Sequence, residues 1–173
     1  MGAMVALLRG INVGGKGKLA MADLRAMAEA CGFADVATYI QSGNLVFSTT
    51  TPAAAAGRAL AEAIAADSDV TTSVVIRTRT QLADVVAESP FLARGEDPGS
   101  LHVTFLGPDD APSLPDDPKT FAPDEAIVVG SEVHLFLPEG LGRSKLAARA
   151  TRTGTTRNWR TVTKLLEMVQ SID

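Results

Sequence analysis

Leu7–Lys18 reads LLRGINVGGKGK. It issues from an apolar run, Met4–Leu8 (MVALL), carries four glycines and the cations Arg9, Lys16 and Lys18, and holds no acidic residue. A run apolar on both faces is the pattern of a central strand covered on two sides. Glycines at 10, 14, 15 and 17 then free the backbone for positive φ and for close approach of a ligand. Gly10–Lys16 has the spacing G-x-x-x-x-G-K, one residue short of a phosphate-binding P-loop. The next residue is Gly17, where a P-loop needs Ser or Thr to hold magnesium. Helical periodicity also begins late, after Lys18, Leu19 and Ala20. The reading is therefore an anion-friendly strand-to-helix loop that uses backbone N–H groups and Lys16, and not a nucleotide triphosphatase.

Outward from this loop, Met21–Cys31 reads as a helix, with Met21, Leu24, Met27 and Cys31 on one face and Gly32 as its stop. Residues 36–41 and 45–49 read as strands around the tight loop Ser42-Gly43-Asn44. Thr51-Pro52 opens a helix to about Asp67, and residues 70–77 form a strand. Further on come a short helix at 81–88, an alternating strand at 101–106 and a Pro/Asp-rich surface loop at 107–124. A second hairpin turns at Gly130-Ser131, followed by a basic segment and a final helix. The order of elements predicts an α+β protein of two ferredoxin-like β-α-β-β-α units packed together, with mostly antiparallel sheets. The expected units are 1–69, with the glycine-rich basic loop, and 70–173, with the Pro/Asp-rich loop and a basic C-terminal helix.

The chain has 173 residues, 46% of them apolar, enough for a real core. Its one cysteine, Cys31, allows no internal disulfide and fits a reducing compartment. No run is apolar enough to span a membrane, and the N-terminus lacks the pattern of a signal peptide, so a cytoplasmic location is expected. Net charge is −4, yet it is segregated. Residues 1–22 hold three cations and residues 143–164 hold seven, with no acid in either window. If the two windows meet, they form a positive face for phosphate or another polyanion.

Residues 155–172 read as one strong helix, with Trp159, Val162, Leu165, Leu166 and Val169 as an apolar stripe and Thr155 or Thr156 as its cap. Its first turn, Arg157-Asn158-Trp159-Arg160, puts cations where they oppose the macrodipole, at about 0.3–1 kcal/mol each. Two arginines there make sense if they share an anion with the free N–H groups.

The strings LLRGINVGGKGK, TYIQSGNLVF at 38–47, SKL at 144–146 and TTRNWRTVTKLL at 155–166 occur in this order. Together the chain resembles the domain of unknown function 1697 family nearly end to end. The resemblance implies an α+β organisation with ferredoxin-like halves, and it assigns no activity and no catalytic residue. The family pattern has Asn between the two loop lysines, where this chain has Gly17.

Other chemistry is weakly signalled. His102 and His134 each occupy the polar position of an alternating strand and would share a face if the strands were neighbours, but two histidines without a third ligand make a poor metal site. No metal or cofactor is implied. Asp109-Asp110 and Asp116-Asp117 read as linker solvation. The candidate anion site draws Arg9, Asn12, Lys16 and Lys18 from the first loop, with Ser42 and Asn44 as polar lining. From the C-terminal segment it draws Ser144, Lys145, Arg157, Asn158 and Lys164. The expected partner is an anionic ligand, nucleic acid first. The alternatives are an enzyme acting on a small phosphorylated or carboxylated metabolite, and a structural or interaction protein without an anionic ligand.

Overall fold

The computed structural model describes residues 1–173. The first part of the chain runs β1 (Gly2–Leu8), α1 (Met21–Ala30), β2 (Ala34–Thr38), β3 (Asn44–Thr49), α2 (Ala53–Asp67) and β4 (Val74–Thr78). These strands form one sheet in the order β2-β3-β1-β4, antiparallel at every pairing. β1 is central, as its two-sided apolar sequence predicts. Met4, Ala6 and Leu8 join Leu24 of α1 and Leu60 and Ile64 of α2 in the core, while Val5 and Leu7, on the other face, are fully buried too. Each buried Met, Val, Leu or Ile side chain among these contributes about 1.5–3 kcal/mol. α2 lies close on β4: a Cβ added at Gly57 would stand 3.1 Å from Cγ1 of Ile76.

α3 (Arg79–Ala87) begins with a reciprocal cap, in which the Gln81 N–H donates to Oγ1 of Thr78 and the Thr78 N–H donates to Oε1 of Gln81. α4 (Pro90–Ala93) is capped by Ser89. Then follow β5 (Leu101–Phe105), β6 (Glu125–Val129), β7 (Glu132–Phe136), α5 (Lys145–Ala150), β8 (Thr155–Asn158) and α6 (Trp159–Gln170). The second sheet has the order β6-β7-β5-β8, again antiparallel throughout. Its connectivity repeats that of the first. β5, β6, β7 and β8 take the places of β1, β2, β3 and β4, and α5 takes the place of α2. Residues 106–124, where the counterpart of α1 would stand, hold no helix. The fold is thus α+β with two ferredoxin-like units.

Two expectations are corrected. Val74–Thr78 does not open the second unit. It pairs with β1, from Met4↔Thr78 to Leu8↔Val74, and completes the first sheet. The compact units are Met1–Ala83 with Leu165–Asp173, and Asp84–Lys164, in place of a division at 69/70. Residues 155–172 are not one helix either. Thr155–Asn158 is a strand paired with β5, and α6 starts at Trp159. Thr155 and Arg157 alternate inward with Thr156 and Asn158 outward, so the cap of α6 is Asn158, whose Oδ1 accepts from the Thr161 N–H at 2.8 Å.

Candidate functional site

The loop between β1 and α1 folds into a miniature hairpin. Val13 and Lys16 form an isolated antiparallel bridge, and Gly14 (φ 59°) and Gly15 (φ 75°) make the two-residue turn between them. Lys16 therefore sits at a hairpin end and not in a phosphate-wrapping loop, which agrees with the missing Ser or Thr at position 17. Gly17 (φ 61°) closes the loop, because a Cβ there would lie 2.5 Å from the Gly10 carbonyl oxygen.

Asn12 organises what surrounds the hairpin. Its Nδ2 donates to the carbonyls of Leu19 (2.9 Å) and Gln41 (2.7 Å), and its Oδ1 accepts from the Leu19 N–H (2.9 Å). The glycine-rich loop is thereby tied to the β2–β3 turn. That turn is also held by the Leu8 N–H donating to Gly43 O, and by Asn44, whose Nδ2 donates to Tyr39 O and Ser42 Oγ. A cleft of about 500 Å³ opens beside these loops, lined by Asn12, Gly15, Lys18, Leu19, Ala20, Met21 and Gln41. No carboxylate lines it. The N-terminus of α1 borders it without a side-chain cap, since its N-cap is Ala20. The first-turn N–H groups therefore lack intrahelical acceptors and carry the positive end of the macrodipole, partly answered by Asp23.

The predicted site residues divide between the two units. Arg9, Asn12, Lys16, Lys18, Ser42 and Asn44 lie in the first. Lys18 lines the cleft, Lys16 is exposed at the hairpin, and the exposed Arg9 has its backbone held by Thr72 and Ser73. Asn44 is buried and serves the turn. The remaining five lie in the second unit. Ser144 caps α5, accepting from the Ala147 N–H at 2.9 Å. It lines, with Lys145, a second cleft of about 370 Å³ in which Arg143 and Lys145 are matched by Asp124 and Glu139. Arg157 is corrected most. It is a strand residue, 9% exposed, and its Nη1 donates to Thr155 Oγ1 and Thr156 O. Burial lowers its pKa to about 10, which leaves it charged at neutral pH. Asn158 is a helix cap, and Lys164 is half-buried on α6.

The two histidines do not share a face. β5 and β7 are neighbours, but His102 opposes Leu135 and His134 opposes Val103, so the imidazoles point to opposite sides. No group of three or more His, Cys, Asp or Glu is placed to hold a metal ion. Asp110 and Asp117 accept from the backbone N–H groups of Gly107 and Lys119 and so shape their own loop. No helix is long and apolar enough to cross a membrane. Leu19, Ala20, Met21 and Gln41 were not among the expected site residues. The first three read as helix entry and core, and Gln41 was visible only as a member of the string QSGN.

Two ferredoxin-like units of repeated strand order, the first with a carboxylate-free cleft beside its glycine-rich loop, define an α+β protein of repeated topology. Residues 1–134 match the model of the protein of unknown function DUF1697, and the chain belongs to that family. The strings at 144–146 and 155–166 lie beyond the matched residues. Among solved structures it is similar to a conserved bacterial protein, SP0830 from Streptococcus pneumoniae, at 21% identity and a TM-score of 0.73 over 97% of this chain and 98% of that one. That likeness shows the fold. No curated protein matches.

Proposed function

We propose that this protein is a binding module for phosphate-bearing ligands and that the cleft beside the Asn12-tied loops receives the anion. The observation that carries the reading is the lining. It combines Lys18, the uncapped α1 N-terminus and loop amides in a concavity without a carboxylate. Its volume lies in the range of roughly 300–1,000 Å³ that small ligands occupy. A compact phosphorylated or carboxylated molecule therefore suits it better than an extended strand. An enzyme acting on such a molecule would use the same contacts.

Nucleic acid is the second reading. Arg9, Lys16 and Lys18 favour it, because they stand exposed on one acid-free loop. The burial of Arg157 weighs against a C-terminal contribution at that residue.

The test is an NMR titration of the 15N-labelled chain with inorganic phosphate, adenosine monophosphate and a 12-nucleotide single-stranded RNA. The expected result is movement of the Gly15, Lys18, Ala20 and Met21 amides with phosphate and the nucleotide, weakened about tenfold by Lys18→Ala. Steep salt dependence with the RNA alone would favour the strand reading. No movement with any of the three, at low salt, would overturn anion binding.

A further inference from the structure

The second unit holds a cleft of its own, of about 370 Å³, which the anion reading does not use. Two stretches line it. Residues 120–124 lie ahead of β6, and the run from Glu139 to Lys145 leads from β7 into α5. Both are turns closed by backbone hydrogen bonds. The Asp124 N–H donates to Phe121 O at 3.0 Å, the Gly140 N–H to Leu137 O at 3.0 Å and the Ser144 N–H to Leu141 O at 3.3 Å. The walls are therefore fixed without a ligand, as small-molecule sites usually are.

The charges around this cleft are of both signs. Asp124 and Glu139 line it together with Arg143 and Lys145, so the lining sums to zero. None of the four is held in an ion pair; the surface bridges of this unit join Arg94 to Glu96 and to Glu125. A simple anion drawn to Arg143 and Lys145 is opposed by the two carboxylates, and a simple cation drawn to the carboxylates is opposed by Arg143 and Lys145. A ligand that carries both charges meets neither penalty.

Ser144 supplies a second, independent observation. It lines the cleft yet is only 7% exposed. Its Oγ accepts from the Ala147 N–H at 2.9 Å, and its hydroxyl proton has no acceptor in the chain. A hydroxyl is a donor as well as an acceptor, and a donor left unused at a buried position is costly. A ligand carboxylate held by the flanking Arg143 and Lys145 supplies that acceptor in a charge-assisted hydrogen bond. Half-buried Phe121 adds an apolar wall for the rest of the ligand.

We propose that this cleft is a site for a small zwitterion of the α-amino acid class. Arg143, Lys145 and the Ser144 hydroxyl receive the carboxylate, Asp124 and Glu139 receive the ammonium, and Phe121 packs against an apolar side chain. The site lies wholly within the second unit and is independent of the anion cleft on the first.

The experiment titrates the 15N-labelled full chain at pH 7 with L-phenylalanine, 3-phenylpropionate and phenethylamine. These present both charges, the carboxylate alone and the ammonium alone on the same aromatic group. Phenylalanine should move the Phe121, Asp124, Glu139 and Lys145 amides and bind about tenfold tighter than either analogue. In Asp124→Asn/Glu139→Gln the order should reverse, with 3-phenylpropionate binding at least as tightly as phenylalanine. In Arg143→Gln/Lys145→Gln phenethylamine should do the same. All four side chains are exposed or half-buried, so Tm should move little in either variant, and a change in binding is separable from a loss of fold. Equal or tighter binding of either analogue by the unmodified chain overturns the zwitterion site, as does an absence of movement in these amides with all three ligands. A phenylalanine preference that survives both double variants overturns the assignment of its charges to these residues.

Discussion

His134 shows how much one side chain can commit. It is 2% exposed, its Nε2 has no hydrogen-bond partner, and burial holds its pKa at about 4. It projects from the same face of the second sheet as Arg157, because both oppose Val103, one from β7 and one from β8. Glu132, two residues away on β7, shares that face. Between pH 6.5 and 4 the unfolded chain binds a proton at this imidazole and the folded chain does not. His134 therefore leaves stability at its full value above pH 6.5 and removes it as the pH falls toward 4. The loss reaches about 3 kcal/mol once both states are protonated. Urea unfolding of the unmodified chain and His134→Leu at pH 7.5 and pH 4.5 checks this. The unmodified chain should lose more stability than the variant, and equal losses would show that the imidazole is not buried neutral. None of this was legible in the sequence, where His134 reads as the polar member of an alternating strand. Asn12 has a role that its sequence context did not show: its amide joins two loops, while the residue also lines the cleft. Side-chain polarity in a loop does not reveal whether the partner will be solvent, ligand or backbone.

At the scale of elements, the glycine at the β2–β3 turn is the joint of the first unit packed most closely against core side chains. Gly43 has φ 80°, and a Cβ there would lie 2.8 Å from Cβ of Leu8 and 3.2 Å from Cβ of Ile11. Gly43→Ala combines left-handed strain with overpacking against two fully buried side chains, and should cost about 2–4 kcal/mol in chemical denaturation. A loss below about 1 kcal/mol would mean that the turn shifts freely and does not fix the cleft wall. The turn, the central strand β1 and helices α1 and α2 were readable because their apolar periods and glycine signals are local. β8 was not. Its inward positions are Thr155 and Arg157, so the alternation is present but its buried members are polar, and a hydrophobic pattern cannot register it. The strong stripe that begins at Trp159 then drew these four residues into the helix. The strand at 70–77 could by its sequence close the first unit or begin the second, because a strand's own sequence does not say which neighbour it pairs with, and β4 returns to a strand some 70 residues earlier.

The whole molecule joins two copies of one topology in a chain whose contacts do not follow its sequence order. The first unit requires β4 and also draws in Leu165–Asp173, where the Ile172 carbonyl accepts from Arg79 Nη1 at 2.9 Å. A fragment ending at residue 69 would keep the β1–β3 pairing but leave the β4-facing side of β1 unpaired, and should show no cooperative unfolding. A cooperative thermal transition in that fragment would place the boundary at 69/70 after all.

The absent helix of the second unit has a further consequence. In the first unit, the connection from the first strand to the first helix builds the cleft wall and supplies the helix end that borders it. In the second, the same topological position is a run rich in proline and aspartate with no helix to begin. The repeat therefore has no helix N-terminus at this position, and the cleft that the run from 120 to 124 does line is bordered by Asp124 and Glu139, so the two units share a sheet order but not a carboxylate-free cleft.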